Sequence, residues 1–135
     1  MEILKTNELE KADSKLIAEA AAEVLIEKKA QNVRMFKVEG TSSMTDYYVN
    51  ATGRSSTQVA ALADEVAYKL DLKGKPALRV EGRGGNSWLL VDYGSVIVNV
   101  FDTESREYYN FDRLLPAESE CDLAYIVERV DEKFR

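Results

Sequence analysis

A predicted β-hairpin between Glu81 and Phe101 constrains the fold of this chain more than any other stretch. Residues 87–92 are apolar except at their ends, and residues 95–101 are rich in β-branched side chains, which is typical of strands. A two-residue turn at Tyr93-Gly94 would fix the register between the two strands. The predicted pairs are Asp92 with Ser95, Leu90 with Ile97, and Trp88 with Asn99.

The two faces of this hairpin differ in chemistry. One is purely aliphatic and is expected against a core; it carries Leu89, Val91, Val96, Val98 and Val100. The opposite face mixes aromatic, aliphatic and polar residues, namely Trp88, Leu90, Asp92, Ile97, Asn99 and Phe101. Tryptophan is enriched at binding hot spots, so this face is a candidate recognition surface. A helix covering it, with the polar residues at the rim, is an equally good interpretation.

The composition predicts one soluble domain. The chain has 135 residues, of which 45% are hydrophobic and 31% charged, enough for a hydrophobic core. We expect a polar lead-in at 1–13 and a single domain at 14–135. No apolar run approaches the roughly 20 residues that span a bilayer, and the first 15 residues lack the apolar core of a signal peptide. The sequence therefore predicts a cytoplasmic protein that does not contact membranes.

Charge and residue usage exclude several kinds of chemistry. The chain has no histidine, which removes Ser-His and Cys-His catalysis and imidazole metal sites. Its one cysteine, Cys121, cannot form an internal disulfide. A net charge of −6 disfavours general binding to phosphate backbones, so little or no direct nucleic-acid binding is expected. An acidic domain is better suited to a basic protein partner.

The rest of the chain predicts a mixed sheet flanked by helices. Helices are expected from Asp13 or Ser14 to about residue 29, from Ser55 to about residue 71, and from about 122 to 134. Strands are expected at 33–38, 45–51 and 77–81, before the hairpin. The order strand, helix, strand predicts a right-handed parallel crossover. After Phe101 we expect a turn at 102–105 and an extended or irregular aromatic segment at 106–111. The predicted fold class is α/β with about five strands.

One motif offers an alternative function. Residues 53–56, Gly-Arg-Ser-Ser, open a helix directly after a strand and could bind an anion through free backbone N–H groups. With Asp92 at a strand end, this is the layout of a nucleotide-binding or nucleotidyltransferase-like domain. No second carboxylate lies near Asp92 in the predicted hairpin, so Mg²⁺ would lack ligands. We therefore favour a helix cap at 53–56 and predict neither metal, cofactor nor catalysis.

Taken in order, several stretches resemble one family. They are Lys28-Lys29-Ala30, Thr45-Asp46-Tyr47, Thr52-Gly53-Arg54-Ser55-Ser56, Glu81-Gly82, Trp88-Leu89-Leu90-Val91-Asp92-Tyr93-Gly94, Val98-Asn99-Val100-Phe101, Arg106 and Tyr109. Their order and spacing, over about residues 14–115, resemble the ribosomal silencing factor RsfS, or Iojap-like, family. Two positions depart from the family pattern: Asn99 replaces the usual histidine, and Leu115 replaces the usual tryptophan.

The resemblance implies a translation repressor that is not an enzyme. Such factors bind the large ribosomal subunit through its protein of the uL-fourteen type and block joining of the small subunit under nutrient limitation. The resemblance also implies a fold like a degenerate nucleotidyltransferase, and a possible homodimer. Asn99 keeps hydrogen bonding but removes a titratable group, so no pH-dependent role carries over to it. Leu115 removes an aromatic contact from the expected interface.

The same resemblance implies which residues contact the partner. Trp88 is the expected apolar anchor, with Asp92 and Asp46 facing basic groups. The residues expected to complete or support the surface are Tyr93, Asn99, Phe101, Arg106 and Tyr109. An alternative is that Asp46 and Arg106 form a salt bridge that only stabilises the fold.

Overall fold

The computed structural model describes residues 5–40, 44–82 and 84–134. Its helices are α1 Ser14–Glu27, α2 Ser56–Leu72, α3 Thr103–Tyr109 and α4 Ala124–Lys133. Its strands are β1 Gln31–Lys37, β2 Tyr47–Gly53, β3 Arg79–Glu81, β4 Trp88–Asp92, β5 Val96–Asp102 and β6 Glu120–Cys121. They form one sheet of order β3-β4-β5-β2-β1-β6, in which only the β2–β5 pair is parallel. The predicted mixed α/β fold is confirmed, with six strands in the described residues.

The central hairpin forms, but its predicted register is wrong by two residues. Trp88 pairs with Phe101 and Asp92 with Ile97. The turn is at Gly94-Ser95, because the Tyr93 N–H donates to the Val96 carbonyl at 2.9 Å. Gly94 has φ +79° at the first central position, which costs a glycine little and a tyrosine more. A slip of two residues leaves every side chain on its predicted face.

The aliphatic face of the hairpin lies in the core, as predicted. Its five residues, Leu89, Val91, Val96, Val98 and Val100, are completely buried. Helices α1 and α2 pack against this side of the sheet, and α4 packs against α1. We call this side the core face and the opposite side, which carries Trp88 and Asn99, the second face. The second face is therefore the only large sheet surface left for α3 and the segment after it to cover.

Predicted helix starts are confirmed by their caps. The Asp13 carboxylate accepts from the Leu16 N–H at 3.0 Å, and Ser55 Oγ accepts from the Gln58 N–H at 3.1 Å. The Gln58 side chain returns to the Arg54 N–H at 2.5 Å rather than to Ser55 itself. Each cap satisfies N–H groups that a helix start leaves free. Residues 53–56 thus form a helix cap, the interpretation favoured from the sequence.

Two predictions about the chain after the hairpin are wrong. Residues 102–105 do not form a turn, and residues 106–111 are not extended, because α3 begins at Thr103. The Asp102 side chain caps this helix by accepting from the Ser105 N–H at 2.7 Å. Strand β6 was not predicted, since two residues are too short to show a pattern.

The other connections follow the expected pattern in part. β2 and β3 run in the same direction, as predicted, but β4 and β5 lie between them.

The N-terminal lead-in packs on the domain as far as it is described: Leu9 is buried, and the Thr6 N–H donates to the Leu72 carbonyl at 2.7 Å. Residues 1–4 of that lead-in lie outside the described residues, as do residues 41–43, in a stretch expected to form a turn, and residue 83, in a glycine-rich stretch expected to form a loop.

A largely buried carboxylate, Glu23 of α1, forms ion pairs with two half-exposed cations of α4. Glu23 accepts from Arg129 Nε at 2.7 Å and from Lys133 Nζ at 3.1 Å. Burial raises the pKa of Glu23, but the hydrogen bonds and charges of Lys133 and Arg129 outweigh it and hold the pKa below its ordinary value of 4.5. The carboxylate therefore stabilises the fold above about pH 4.5 and loses this effect as the pH falls through its lowered pKa.

We expect Glu23→Gln to lower the free energy of unfolding at pH 7 by about 1 kcal/mol, because both cations are half exposed. The difference from wild type should become smaller at pH 3, because protonation of Glu23 as the pH falls through its lowered pKa removes the charge that glutamine also lacks. Urea denaturation at the two pH values measures this. Glu128→Gln on the same helix is the control, since Glu128 is exposed and has no ion pair among the described residues. A difference that stays constant with pH would contradict this role.

Candidate functional site

Residues 103–114, comprising α3 and a 3₁₀ helix at Phe111–Leu114, form a segment that lies over part of the second face. We call this the covering segment. Beneath it Phe101 and Asn99 are buried, and Arg106 of the segment itself is buried against the sheet, whereas Trp88, Leu90 and Ile97 stay partly exposed. Both interpretations of this face are thus partly right, because a helix covers the end of the face near Phe101 and Thr52 but leaves Trp88 partly exposed.

Asp112 holds the covering segment to the sheet. Its Oδ2 accepts from Arg106 Nε at 3.0 Å and Nη2 at 2.8 Å, and from Arg34 Nη1 at 3.3 Å. Its Oδ1 accepts from Asn50 Nδ2 at 2.6 Å. The side chains of Asp112 and Arg106 are only 11% and 7% exposed. A buried cation of this kind depends on its partner carboxylate.

Arg106 and Arg34 connect this network to three strands of the sheet. Arg106 Nη1 donates to Thr52 Oγ1 at 2.8 Å, which ties α3 to the end of β2. Arg34 Nη2 and Nε donate to Glu120 at 2.6 and 2.8 Å. That hydrogen bond is the main cause that lowers the pKa of Glu120 below its ordinary value. These ion pairs and hydrogen bonds therefore connect β1, β2, β6 and the covering segment.

A row of amide side chains carries the network to the tryptophan. Asn50 Oδ1 accepts from Asn99 Nδ2 at 3.0 Å, and Asn99 Oδ1 accepts from Trp88 Nε1 at 3.0 Å. Both amides are buried in the sheet. Asn99 thus keeps the hydrogen bonding expected at this position, acting as donor and acceptor at once. Through these bonds Asp112 fixes the indole ring from three side chains away.

Aromatic rings gather around Trp88. Its centroid lies 4.8 Å from that of Phe101, 4.9 Å from Tyr109 and 6.1 Å from Phe111. Tyr109 stacks edge-on with Tyr108 at 5.0 Å. We call these five rings the aromatic cluster. Tyr108 is 80% exposed and Tyr109 50%, so the cluster is anchored on a buried ring and ends in solvent.

The expected site residues at the hairpin turn lie apart from this cluster. Asp46 precedes β2 beside Ser95, and Trp88 pairs with Phe101, which places them six residues apart along β5. At about 3.3 Å per residue this is about 20 Å. The predicted site residues therefore form two groups, at opposite ends of the sheet.

Asp46 and Asp92 differ in their freedom to bind a partner. Asp92 Oδ1 accepts from the Gly94 N–H at 2.7 Å and its Oδ2 pairs with Arg79 at 3.1 Å. The Asp46 carboxylate has no hydrogen bond or ion pair within the described ranges. The alternative of a salt bridge between Asp46 and Arg106 is wrong, since Arg106 pairs with Asp112 at the far end of β2.

Tyr93 does not lie on the second face. Its side chain is 4% exposed and belongs to the core, where its hydroxyl has no hydrogen-bond partner among the described residues. Burial, with a smaller effect of the Asp71 charge, raises the pKa of the Tyr93 phenol. The reason is parity: Tyr93 follows Leu89 and Val91 on the core face. The structure therefore places Tyr93 on the core face, away from the surface that it was expected to complete or support.

Asp112, Phe111 and Asn50 were missed by the sequence reasoning, although they hold Trp88 in place. The signal for Asn50 was present, since Asn50 and Asn99 are polar amides inside two otherwise largely apolar predicted strands. No local pattern pointed to Asp112. Its role depends on the covering segment folding back over the sheet.

Asp92, the carboxylate considered for a metal site, is bound by groups of this chain. No group of three acidic or cysteine side chains within residues 5–40, 44–82 and 84–134 is placed to hold a metal ion. Both oxygens of Asp92 already have partners, the Gly94 N–H and Arg79.

None of the helices described is long and apolar enough to cross a membrane. What the second face offers is a rigid surface of rings bordered by charge.

Comparison with known proteins agrees with this description. Residues 11–134 match the family model described as "Ribosomal silencing factor during starvation". The ribosomal silencing factor RsfS of Bacillus subtilis is 35% identical over 102 residues, covering 76% of this chain and 86% of that protein. RsfS of Haemophilus influenzae is 34% identical over 98 residues, covering 73% and 96%.

Solved structures show the same fold. A crystal structure of a protein from Chromobacterium violaceum superposes with a TM-score of 0.74 at 32% identity, covering 77% of this chain and 87% of that one. A structure from Bacillus halodurans gives a TM-score of 0.68 at 32% identity, covering 82% and 100%.

Proposed function

The chain belongs to the ribosomal silencing factor family, and from this premise we propose that it binds the large ribosomal subunit and sterically blocks joining of the small subunit. The partner on that subunit is its protein of the uL-fourteen type, and the effect is repression of translation under nutrient limitation. The family role is regulation rather than catalysis, and no step of the proposed mechanism needs turnover, nucleotide or metal.

The aromatic cluster is the observation that carries this proposal. Exposed aromatic rings on a rigid support are typical of interface anchors, because they bury much area at little cost in entropy. Tyr108 and Tyr109 present such rings, and Trp88 supports them while fixed by Asn99. The fixed geometry reduces the ordering needed on binding.

Charge supports a basic partner. The chain carries a net charge of −6, and Asp46 at the other end of the sheet has a carboxylate free of ion pairs among the described residues. The separation of about 20 Å between Asp46 and Trp88 is within the width of an ordinary protein interface. A protein with exposed lysines and arginines would thus contact both ends of the second face.

We expect Tyr108→Ala with Tyr109→Ala to weaken binding to the large subunit by about 30-fold, because two interface rings are lost. Both side chains are largely exposed, so the variant should stay folded, whereas Trp88→Ala would also uncover Phe101. Co-sedimentation with separated large and small subunits measures binding. Tyr68→Ala, an exposed ring on α2, is the matched control.

The result that supports the proposal is pelleting with the large subunit only, lost in the double variant and kept in Tyr68→Ala. Pelleting with neither subunit would sink the proposal, and equal pelleting with both would do the same. Unchanged binding of the double variant would remove the aromatic cluster from the interface.

The same face also bears on the state of the free protein. A homodimer formed through Trp88 would compete with ribosome docking, because both would bury the aromatic cluster. Light scattering of the free protein at several concentrations tests this directly. We propose that the protein acts in the cytoplasm, on the ribosomes there.

A further inference from the structure

The row of hydrogen bonds on the second face, which runs from Trp88 through Asn99 and Asn50 to Asp112, has a direction. The Trp88 indole at one end can only donate, and the carboxylate at the other end, which pairs with Arg106, can only accept. Between these ends each amide turns its oxygen toward Trp88 and its nitrogen toward Asp112. Every link of the row therefore joins a donor to an acceptor.

No other orientation of the two amides satisfies the row. If Asn99 turned over, its Nδ2 would face the Trp88 N–H and its Oδ1 would face the oxygen of Asn50. Turning Asn50 as well would move the second mismatch to Asp112, where two acceptors would meet. Asn50 and Asn99 are 0% and 1% exposed, so water does not relieve such a mismatch. The donor-only end and the acceptor-only end thus select one arrangement of both amides.

Strand register brings this row to the aromatic cluster. Asn50 of β2 lies opposite Asn99 of β5 in the parallel pair. Because Trp88 pairs with Phe101, it lies diagonally across from Asn99. The indole held at the end of the row lies 4.9 Å from the ring of Tyr109, which is 50% exposed. Two buried amides therefore set the position of an indole that supports an exposed ring.

We propose that Asn50 and Asn99 are positioning residues of the docking surface, and that they carry the hydrogen-bond polarity of Asp112 to the Trp88 indole. This inference rests on the proposed binding to the large ribosomal subunit. Both amides are buried, so they act on a docked partner through Trp88 and Tyr109 rather than by contact. An indole that is already oriented reduces the ordering that docking needs.

Asp112→Asn tests the direction of the row. Its oxygen is expected to stay with Arg106 and Arg34, which can only donate, so its new nitrogen faces Asn50. One donor then faces another, and turning either amide moves this mismatch along the row toward Trp88. The chain has one tryptophan, so ¹⁵N-labelled full-length protein gives a single indole N–H resonance. We expect that N–H to exchange with solvent about tenfold faster in the variant.

Binding of Asp112→Asn to the large subunit should weaken about tenfold as well, measured by co-sedimentation. Glu120→Gln is the matched control, because it neutralises the other carboxylate on Arg34 but lies outside the row. Its indole exchange and its binding should stay those of wild type. Circular dichroism establishes that both variants are folded.

Substitutions of Asn99 separate positioning from packing. Asn99→His retains one donor and one acceptor in its neutral imidazole, whereas Asn99→Leu removes both at a similar volume. Asn99→His should therefore keep the slow indole exchange and the binding, and Asn99→Leu should lose them to the same extent as Asp112→Asn. This pair decides the test if Asp112→Asn does not fold.

Three results would overturn the proposal: wild-type indole exchange in Asn99→Leu and Asp112→Asn, faster exchange with undiminished binding, or equal binding of Asn99→His and Asn99→Leu. A wild-type protein that does not pellet with the large subunit would instead refute the proposed function. Indole exchange would still show, in that case, whether the row holds Trp88.

Discussion

Asp112→Ala is expected to lower the free energy of unfolding by about 3–5 kcal/mol, because it leaves the buried Arg106 cation without a partner. The same change leaves the buried Asn50 Nδ2 without its acceptor, because that group donates to Asp112 Oδ1 at 2.6 Å. Urea denaturation followed by the single tryptophan, Trp88, measures the loss. The native emission of Trp88 should also shift to the red, since the covering segment that shields it is released.

Glu120→Ala is the matched control for this prediction. It removes another carboxylate from Arg34, but at a site where both partners are more than a third exposed. The expected cost is below about 1 kcal/mol. A loss below 1 kcal/mol in Asp112→Ala as well would show that Asp112 does not hold the covering segment.

Gly82→Ala is expected to cost about 3 kcal/mol and to displace Trp88. Gly82 has φ +99°, and a Cβ there would lie 2.1 Å from the Trp88 carbonyl oxygen. The β3–β4 hairpin must therefore open to admit a methyl group, in addition to the strain of the left-handed backbone. Thermal unfolding gives the stability, and tryptophan emission reports the displacement.

The neighbouring Gly84 separates the two causes. It has φ +116°, but a Cβ there meets nothing within 4 Å. Gly84→Ala should therefore cost about 1 kcal/mol from the backbone alone and leave the Trp88 emission unchanged. Equal effects of the two substitutions would show that the contact with the Trp88 carbonyl is unimportant.

The sequence predicted the sheet better than the segment that covers it. Alternation placed Leu89, Val91, Val96, Val98 and Val100 on the core face, because period-two patterns survive a register slip of two residues. The turn itself was misplaced by one residue. A rule that puts glycine at the first central position would have chosen Gly94-Ser95.

The covering segment shows why local patterns fail here. Residues 106–111 carry three aromatic rings that favour strands by propensity, yet the Asp102 cap and tertiary contacts make most of them helical. The pairing of Arg106 with Asp112 joins residues of the same segment across a change of helix type. That geometry arises only when the segment meets Thr52 and Asn50 on the sheet, which no local window contains.

The expected site residues lie on two different faces of the sheet. Trp88, Phe101 and Tyr109 meet because strand register and α3 bring them together, as the resemblance to the family implied. Tyr93 went to the core because its parity follows that of Val91. The resemblance to the family thus indicates candidate residues, whereas the alternation of side chains along each strand determines which of them lie on the second face.

The most direct test of the proposed mechanism is subunit joining. Purified large and small subunits would be mixed with this protein and resolved on a sucrose gradient, beside the Tyr108→Ala, Tyr109→Ala variant. We predict that wild-type protein moves with the large subunit and reduces the joined ribosome peak, whereas the variant leaves that peak intact. Protein that sediments within joined ribosomes, without reducing them, would contradict a steric block.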